Sequence, residues 1–215
     1  MSIQPDEVIA KALELLDETG LDGLSMRRLA DAMDIKAASL YWHFANKQAL
    51  LDGMADALMA GVAGGAPVAG QSWKERLADI AGEMRRALLS RRDGARVFAG
   101  TYVPTENVMR VGEALMAPLR EAGADARLAA WGAFSVMYFL LGFVIEESGV
   151  APEQMPGREL EQRTQSFEQM MARFPNLAAG RDAIFDKDFD TRFRFGLDLM
   201  LAGLAARLAA GGGAA

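Results

Sequence analysis

Cysteine is absent from the 215 residues, and histidine occurs once, at His43. Without thiols the chain can form no disulfide and offers no sulfur nucleophile or metal ligand, which suits a reducing cytoplasm. One imidazole leaves little for a metal centre or a histidine-based catalytic pair. No glycine-rich phosphate loop or nucleophile–base constellation compensates, so no enzymatic chemistry, cofactor or metal is expected. Positive charge is also short: 23 Lys and Arg against 29 Asp and Glu leave a net charge of −6. That argues against indiscriminate nucleic-acid binding while leaving room for a focused contact surface. The opening MSIQPDEVIA carries acids where a secretory signal needs an apolar run. Strand patterns and internal repeats are lacking too. Long apolar runs are nearly so: Leu128 to Ile145 is the exception, 18 residues without a charge. It approaches the lower limit for a membrane-spanning helix. Its Ala and Gly content, Ser135, and the flanking Arg127 and Glu146-Glu147 favour the centre of a helical core or a subunit interface instead, with no membrane.

What is present reads as helix almost throughout, so the expected fold is all-α. Residues 6–18 place Val8, Ile9, Ala12, Leu13 and Leu16 on one stripe, and Gly20 and Gly23 then break the chain. Ser25 is a good N-cap for a short helix, and a turn at Asp34-Ile35 leads to a second, from Lys36 to about Phe44. Asn46 can cap a further helix that carries Leu50, Leu51, Met54 and Leu58. The uncharged, glycine-rich stretch 61–71 is the clearest boundary. Beyond it, Ser72-Trp73-Lys74-Glu75 has the spacing of a capping box. Further helices are expected to about Arg91, over Asp93–Gly100 with the RRD of 91–93 as its cap, and from Pro104 to about Gly123. The apolar run, Glu159–Arg173 and Asp188–Leu208 complete the set. The organisation that follows is a helix-turn-helix head (1–46), a connecting helix and linker (47–70), a larger helical domain (71–209) and a disordered tail (210–215).

Three adjacent rings, Tyr41, Trp42 and His43, stand inside the second short helix. Leu40 and Phe44, one turn apart, are expected inward; successive positions rotate by about 100°, so at least two rings must reach the surface. A hydroxyl, an indole N–H and an imidazole can grip phosphates while packing on sugars. Ahead of them, Ala37, Ala38 and Ser39 are small enough to bring the backbone close to base edges in a major groove. Arg27 and Lys36 are the long cations best placed to reach bases or backbone, and Lys47 adds a cation beside free helix amides. Two readings remain: a duplex-DNA surface, or an aromatic rim that docks another protein. Residues 1–60 hold ten acids against five bases, so specificity must rest on geometry and dimerisation.

The run GLDGLSMRRLADAMDIKAASLYWHFANKQALLD resembles the head of the tetracycline-repressor (TetR) family. ALLSRRDGARVFAGTYVPTE, LLGFVIEE and FRFGLDLMLAGL resemble the regulatory core of the same family. The resemblance implies an all-α homodimer whose cores hold a small-molecule effector that changes the spacing of two DNA-binding heads. It assigns Arg27, Lys36, Ala37, Ala38 and Ser39 to base-facing or groove positions, and Tyr41, Trp42, His43 and Lys47 to phosphate or packing positions. The implied pocket is lined by Met84, Leu88, Phe98, Thr101, Tyr102, Pro104, Met109, Leu115, Phe134, Met137 and Tyr138, a mainly apolar set with hydroxyl handles. Glu146 matches a position that can reach it, although an acid ending an apolar helix also reads as a solvated terminus. Departures matter here. Phe98 stands where tetracycline-responsive members have a magnesium-coordinating histidine, Tyr102 where they have an arginine, Val103 is an extra residue, and the MAGVAG stretch lacks a second histidine. A magnesium–tetracycline effector is therefore not expected; a hydrophobic or aromatic one is.

Two faces exceed what one subunit can cover, on the apolar run and on the last helix. Their pairing about a two-fold axis predicts an interface at Gly132, Ala133, Val136, Phe193, Gly196 and Leu197. A two-fold dimer in turn predicts palindromic operator DNA. Effector binding is expected to move the short helix at 93–101 against the fourth helix. A ligand-independent or activating DNA-binding regulator, and a protein-interaction module, are the alternatives.

Overall fold

The computed structural model describes residues 4–101, 104–150 and 157–211; Tyr102, Val103 and the 212–215 part of the tail lie outside them. Helix α1 spans Pro5–Gly23, started by Pro5 and by a capping box between Gln4 and Glu7. Gly20, at φ 69°, interrupts it, a left-handed position that glycine adopts without strain. Helices α2 (Met26–Ala32) and α3 (Ala37–Tyr41) follow, with the Ser25 hydroxyl accepting the Arg28 amide at 3.2 Å. Helix α4, Lys47–Leu58, is capped by Asn46, whose side chain accepts the Ala49 amide at 2.9 Å. Val8, Ala12, Leu16, Leu29, Leu40, Leu50 and Met54 form the buried centre of this head.

After the linker come α5 (Trp73–Leu89), α6 (Gly94–Ala99), α7 (Glu106–Glu121) and α8 (Ala126–Gly149). The Ser72–Glu75 capping box is formed. Then α9 (Gly157–Met171), two short helices α10 (Pro175–Ala179) and α11 (Arg181–Ile184), and α12 (Phe189–Gly211) close the chain. The short pair was not expected, because PNLAAGRDAI is too brief to show helical periodicity. Among the described residues there is no strand.

Helices α5, α6, α7 and α8 pack on one another, α12 lies along α8, and α4 reaches over to α6 and α7. One continuous apolar cluster runs from the head into this second body. By length and composition α8 could cross a membrane. Its inner stripe, Ala129, Gly132, Ala133, Val136, Leu140 and Val144, is buried in the protein core.

Candidate nucleic-acid interface and effector core

The assigned α3 stops at Tyr41, earlier than expected, yet one further turn is kept by the Phe44 amide donating to the Leu40 carbonyl at 2.9 Å. Leu40 and Phe44 therefore both point inward, and the three rings between them are turned out. Trp42 is 89% exposed and Tyr41 51% exposed, and His43 is exposed as well. Four residues, Met33–Lys36, separate α2 from α3. Lys36 is the extended N-cap residue of α3, with Ala38 exposed and Ala37 and Ser39 half-buried behind it. Arg27 is exposed on α2, whereas Arg28 folds back to the Gly23 carbonyl at 3.1 Å. Lys47 departs from expectation. Its ammonium donates to the Leu21 carbonyl at 3.2 Å, tying α4 to the end of α1 rather than projecting outward, because that carbonyl lacks a helical partner beyond the Gly20 break.

The head is joined to the second body through α1 and α6. Asp93 is the N-cap residue of α6, in a left-handed conformation (φ 57°) and 8% exposed, but its side chain makes no capping hydrogen bond. Its carboxylate accepts the Leu21 amide at 2.8 Å and pairs with Arg96 at 3.2 Å. A side chain at Gly20 would press on that carboxylate, which the bare glycine admits. Asp17 accepts from the Arg91 guanidinium at 2.6 Å and from the Arg92 amide at 2.9 Å. Helices α4 and α7 are clamped both ways. Asp56 accepts from the Asn107 amide and side chain at 3.0 and 2.7 Å, while Arg110 donates to the carbonyls of Met59, Ala60 and Val62 at the end of α4. Partial burial opposes ionisation of Asp56, but the donors at the start of α7 outweigh it and hold its carboxyl below the ordinary range.

The residues expected around the effector divide. Met84, Leu88, Phe98 and Leu115 are buried together in the core shared by α5, α6, α7 and α8, with Met137 half-buried against it. Thr101 is half-buried, its hydroxyl donating to the Phe98 carbonyl at 2.7 Å; Pro104 and Met109 are exposed, and Tyr102 lies outside the described residues. Phe134 and Tyr138 do not line this core. Their rings sit 5.8 Å apart on the outward face of α8. The resemblance placed them in the pocket, and an all-round apolar helix offers no polar face from which to orient it. Glu146 is exposed, and its neighbour Glu147 turns inward.

The predicted interface residues are likewise placed elsewhere. Phe193 stacks on Phe139 at 5.6 Å, Gly132 leaves room for Leu204 and Leu119, Gly196 lies under the Phe139 ring, and Ala133, Val136 and Leu197 are buried beside them. All six belong to the protomer's own inward-facing α8–α12 surface. The stripe left open is one step round each helix: Trp131, Phe134 and Tyr138 on α8, and Phe195 and Leu199 on α12.

Sequence reasoning missed Arg85. From α5 it makes two hydrogen bonds to Glu147 on α8, at 2.6 and 2.9 Å, and one to Asp190 on α12 at 2.6 Å. Its guanidinium also lies over the Phe193 and Phe143 rings, at 5.0 and 5.7 Å. The Glu147 hydrogen bond, opposed by burial and aided by Asp190, raises its pKa further. The missing signal is long-range: nothing local marks one arginine among the three of α5, at 76, 85 and 86.

Two family models match the chain: "Bacterial regulatory proteins, tetR family" over residues 8–54 and "Tetracyclin repressor-like, C-terminal domain" over residues 66–208. The class A tetracycline repressor of Escherichia coli transposon 1721 is 39% identical over 95% of this chain and 92% of its own length. A possible TetR family transcriptional regulator from Streptomyces coelicolor A3(2) superposes with a TM-score of 0.85 at 40% identity, covering 94% of this chain and 99% of that one. The Streptomyces coelicolor protein ActR, solved in complex with actinorhodin, superposes with a TM-score of 0.83 at 33% identity over 97% and 99% of the two chains.

Proposed function

The chain belongs to the TetR family of bacterial transcriptional regulators, which bind DNA, respond to small molecules and are not enzymes, and on that premise we propose that it is a homodimeric repressor of palindromic operator DNA, released by a mainly hydrophobic small molecule. The observation that carries this is the outward Tyr41–Trp42–His43 set behind the bare Lys36–Ser39 tip. All three rings face solvent, Trp42 almost wholly, and together with Arg27 they match what a major groove and its phosphates require. The tip inserts, the rings and His43 grip the backbone, and head spacing sets operator symmetry. Residues 1–46 act as the head, 47–70 as connector and 71–209 as the effector and dimer body, in the cytoplasm.

The open stripe of Trp131, Phe134, Tyr138, Phe195 and Leu199 is the surface this reading gives to the second subunit, forming a four-helix bundle from two α8–α12 pairs. The effector enters among Met84, Leu88, Phe98, Leu115 and Met137, in a core with no imidazole to hold magnesium. A complex of ActR with actinorhodin supports an organic effector in a fold of this likeness. Pressure on α6 passes to α4 and α1, whose docking on α6 orients the head. Effector and operator then weaken each other by one factor, about 5–150-fold for ordinary coupling. Selection of bound duplexes from a random pool tests the proposal. Recovery of inverted repeats supports it, and recovery of no preferred sequence at moderate salt overturns it.

A further inference from the structure

Under the linker between α4 and α5, along α5 and α7, lies a groove of about 400 Å³. Its apolar floor comes from Ile80 on α5 and from Ala114 and Ala117 on α7, small residues that keep the two helices from filling the space between them. Val68 of the linker, 65% exposed, forms part of the lip. The two arginines on its walls are committed elsewhere: Arg76 pairs with Glu121, and Arg110 holds the carbonyls that end α4. None of the three carboxylates has an ion-pair partner among the described residues. Asp79 accepts from the Gln71 amide group at 2.6 Å, Glu83 accepts the Ala63 backbone amide at 2.7 Å, and Glu113 stands exposed. The lining carries three carboxylates against two guanidiniums, and Arg76 is already paired with Glu121 outside the groove; an apolar floor beneath this net negative charge favours a cation that also has surface to bury.

We infer that this groove is a second ligand site, for a small organic cation with an aromatic or branched apolar body. Its volume is in the range of small-molecule sites and holds one such body. The cationic centre sits near Asp79 and Glu113, the apolar part on Ile80 and the two alanines. The occupant also reaches α4. Glu83 and Arg110, which line the groove, are the residues that fasten Ala63 and the last carbonyls of α4, so a bound cation stiffens that end of the connecting helix.

The test uses the full-length protein with three probes that share a phenyl ring and differ in charge: benzyltrimethylammonium, benzyl alcohol and benzenesulfonate. Titration calorimetry and saturation-transfer NMR should show the cation binding at least about tenfold more tightly than the other two. Asp79→Asn with Glu113→Gln alters only exposed side chains and should weaken the cation about fivefold or more. Ala117→Phe fills the floor and should abolish binding, its helix content checked by circular dichroism; if that variant does not fold, the exposed charge pair decides. Amide exchange over residues 59–63 should slow when the cation binds. Equal binding of all three probes, or cation binding unchanged in the Asn/Gln variant, overturns the site; unchanged exchange overturns its link to α4.

Discussion

Trp42 leaves 89% of its surface in water at the end of α3, and an indole so placed contributes almost nothing to folding. Replacing it separates two roles that are usually mixed. Trp42→Ala should leave the unfolding free energy within about 0.5 kcal/mol of the parent, while affinity for a selected operator falls about tenfold or more, as fluorescence anisotropy would read. A fall in thermal stability together with unchanged DNA affinity would place the ring in the core instead. Asp56 is the opposite kind of residue, fixed by its partners. Its carboxyl is held below the ordinary value despite partial burial, since the donors of α7 favour the charged form. A depressed folded pKa stabilises the protein above the unfolded value, about 3.9, and that stabilisation is lost as pH falls through the folded one. Asp56→Asn should therefore be less stable than the parent at neutral pH, with the gap in urea midpoint closing as pH drops below about 4. A gap that widens in acid would mean the carboxylate is not what holds α4 to α7.

Among the elements, α5 is the one that ties the body together, because Arg85 reaches both α8 and α12 from it. The Arg85 and Glu147 side chains are only 12% and 14% exposed. Removing one partner of such a pair strands the other away from water, whereas removing both need not. Arg85→Ala should cost about 3 kcal/mol in denaturant unfolding, and Arg85→Met with Glu147→Leu should recover most of it. Equal losses in the single and double variants would show that the ring contacts of Arg85, rather than its charge, matter. Helix α8 explains why several residues were expected on the wrong face. Gly132, Ala133 and Val136 look identical in kind to Trp131, Phe134 and Tyr138 when the whole helix is apolar, and only packing against α12 tells them apart. The short α3 was easier: Leu40 and Phe44 define an inward side, and the rings follow from the 100° step.

At the scale of the molecule, the open aromatic and aliphatic stripe on α8 and α12 is the surface proposed for the second subunit, since exposed apolar patches mark interaction sites. Arg127 over Trp131 at 4.4 Å edges it with charge, as at the rim of an interface. Trp131→Glu with Phe195→Glu should give soluble single protomers in sedimentation, keep helix content, and lose affinity for the full palindrome while retaining weak half-site binding. Dimers that persist in this variant would move the subunit contact elsewhere.

By itself the chain determined the all-helical class, the caps at Ser25, Asn46 and Ser72, the outward rings, and the resemblance in which they sit. All of these depend on neighbours within a turn or two, where one backbone geometry leaves few options. Tertiary structure alone decided which side of α8 faces its own α12, that Lys47 is drawn to the Leu21 carbonyl, that the Asp93 carboxylate reaches the Leu21 amide of α1, and that Arg85 joins three helices. The physical reason is common to them: each outcome is set by a partner at least 26 residues away, and an apolar helix or a lone charged side chain contains no local record of which partner will arrive.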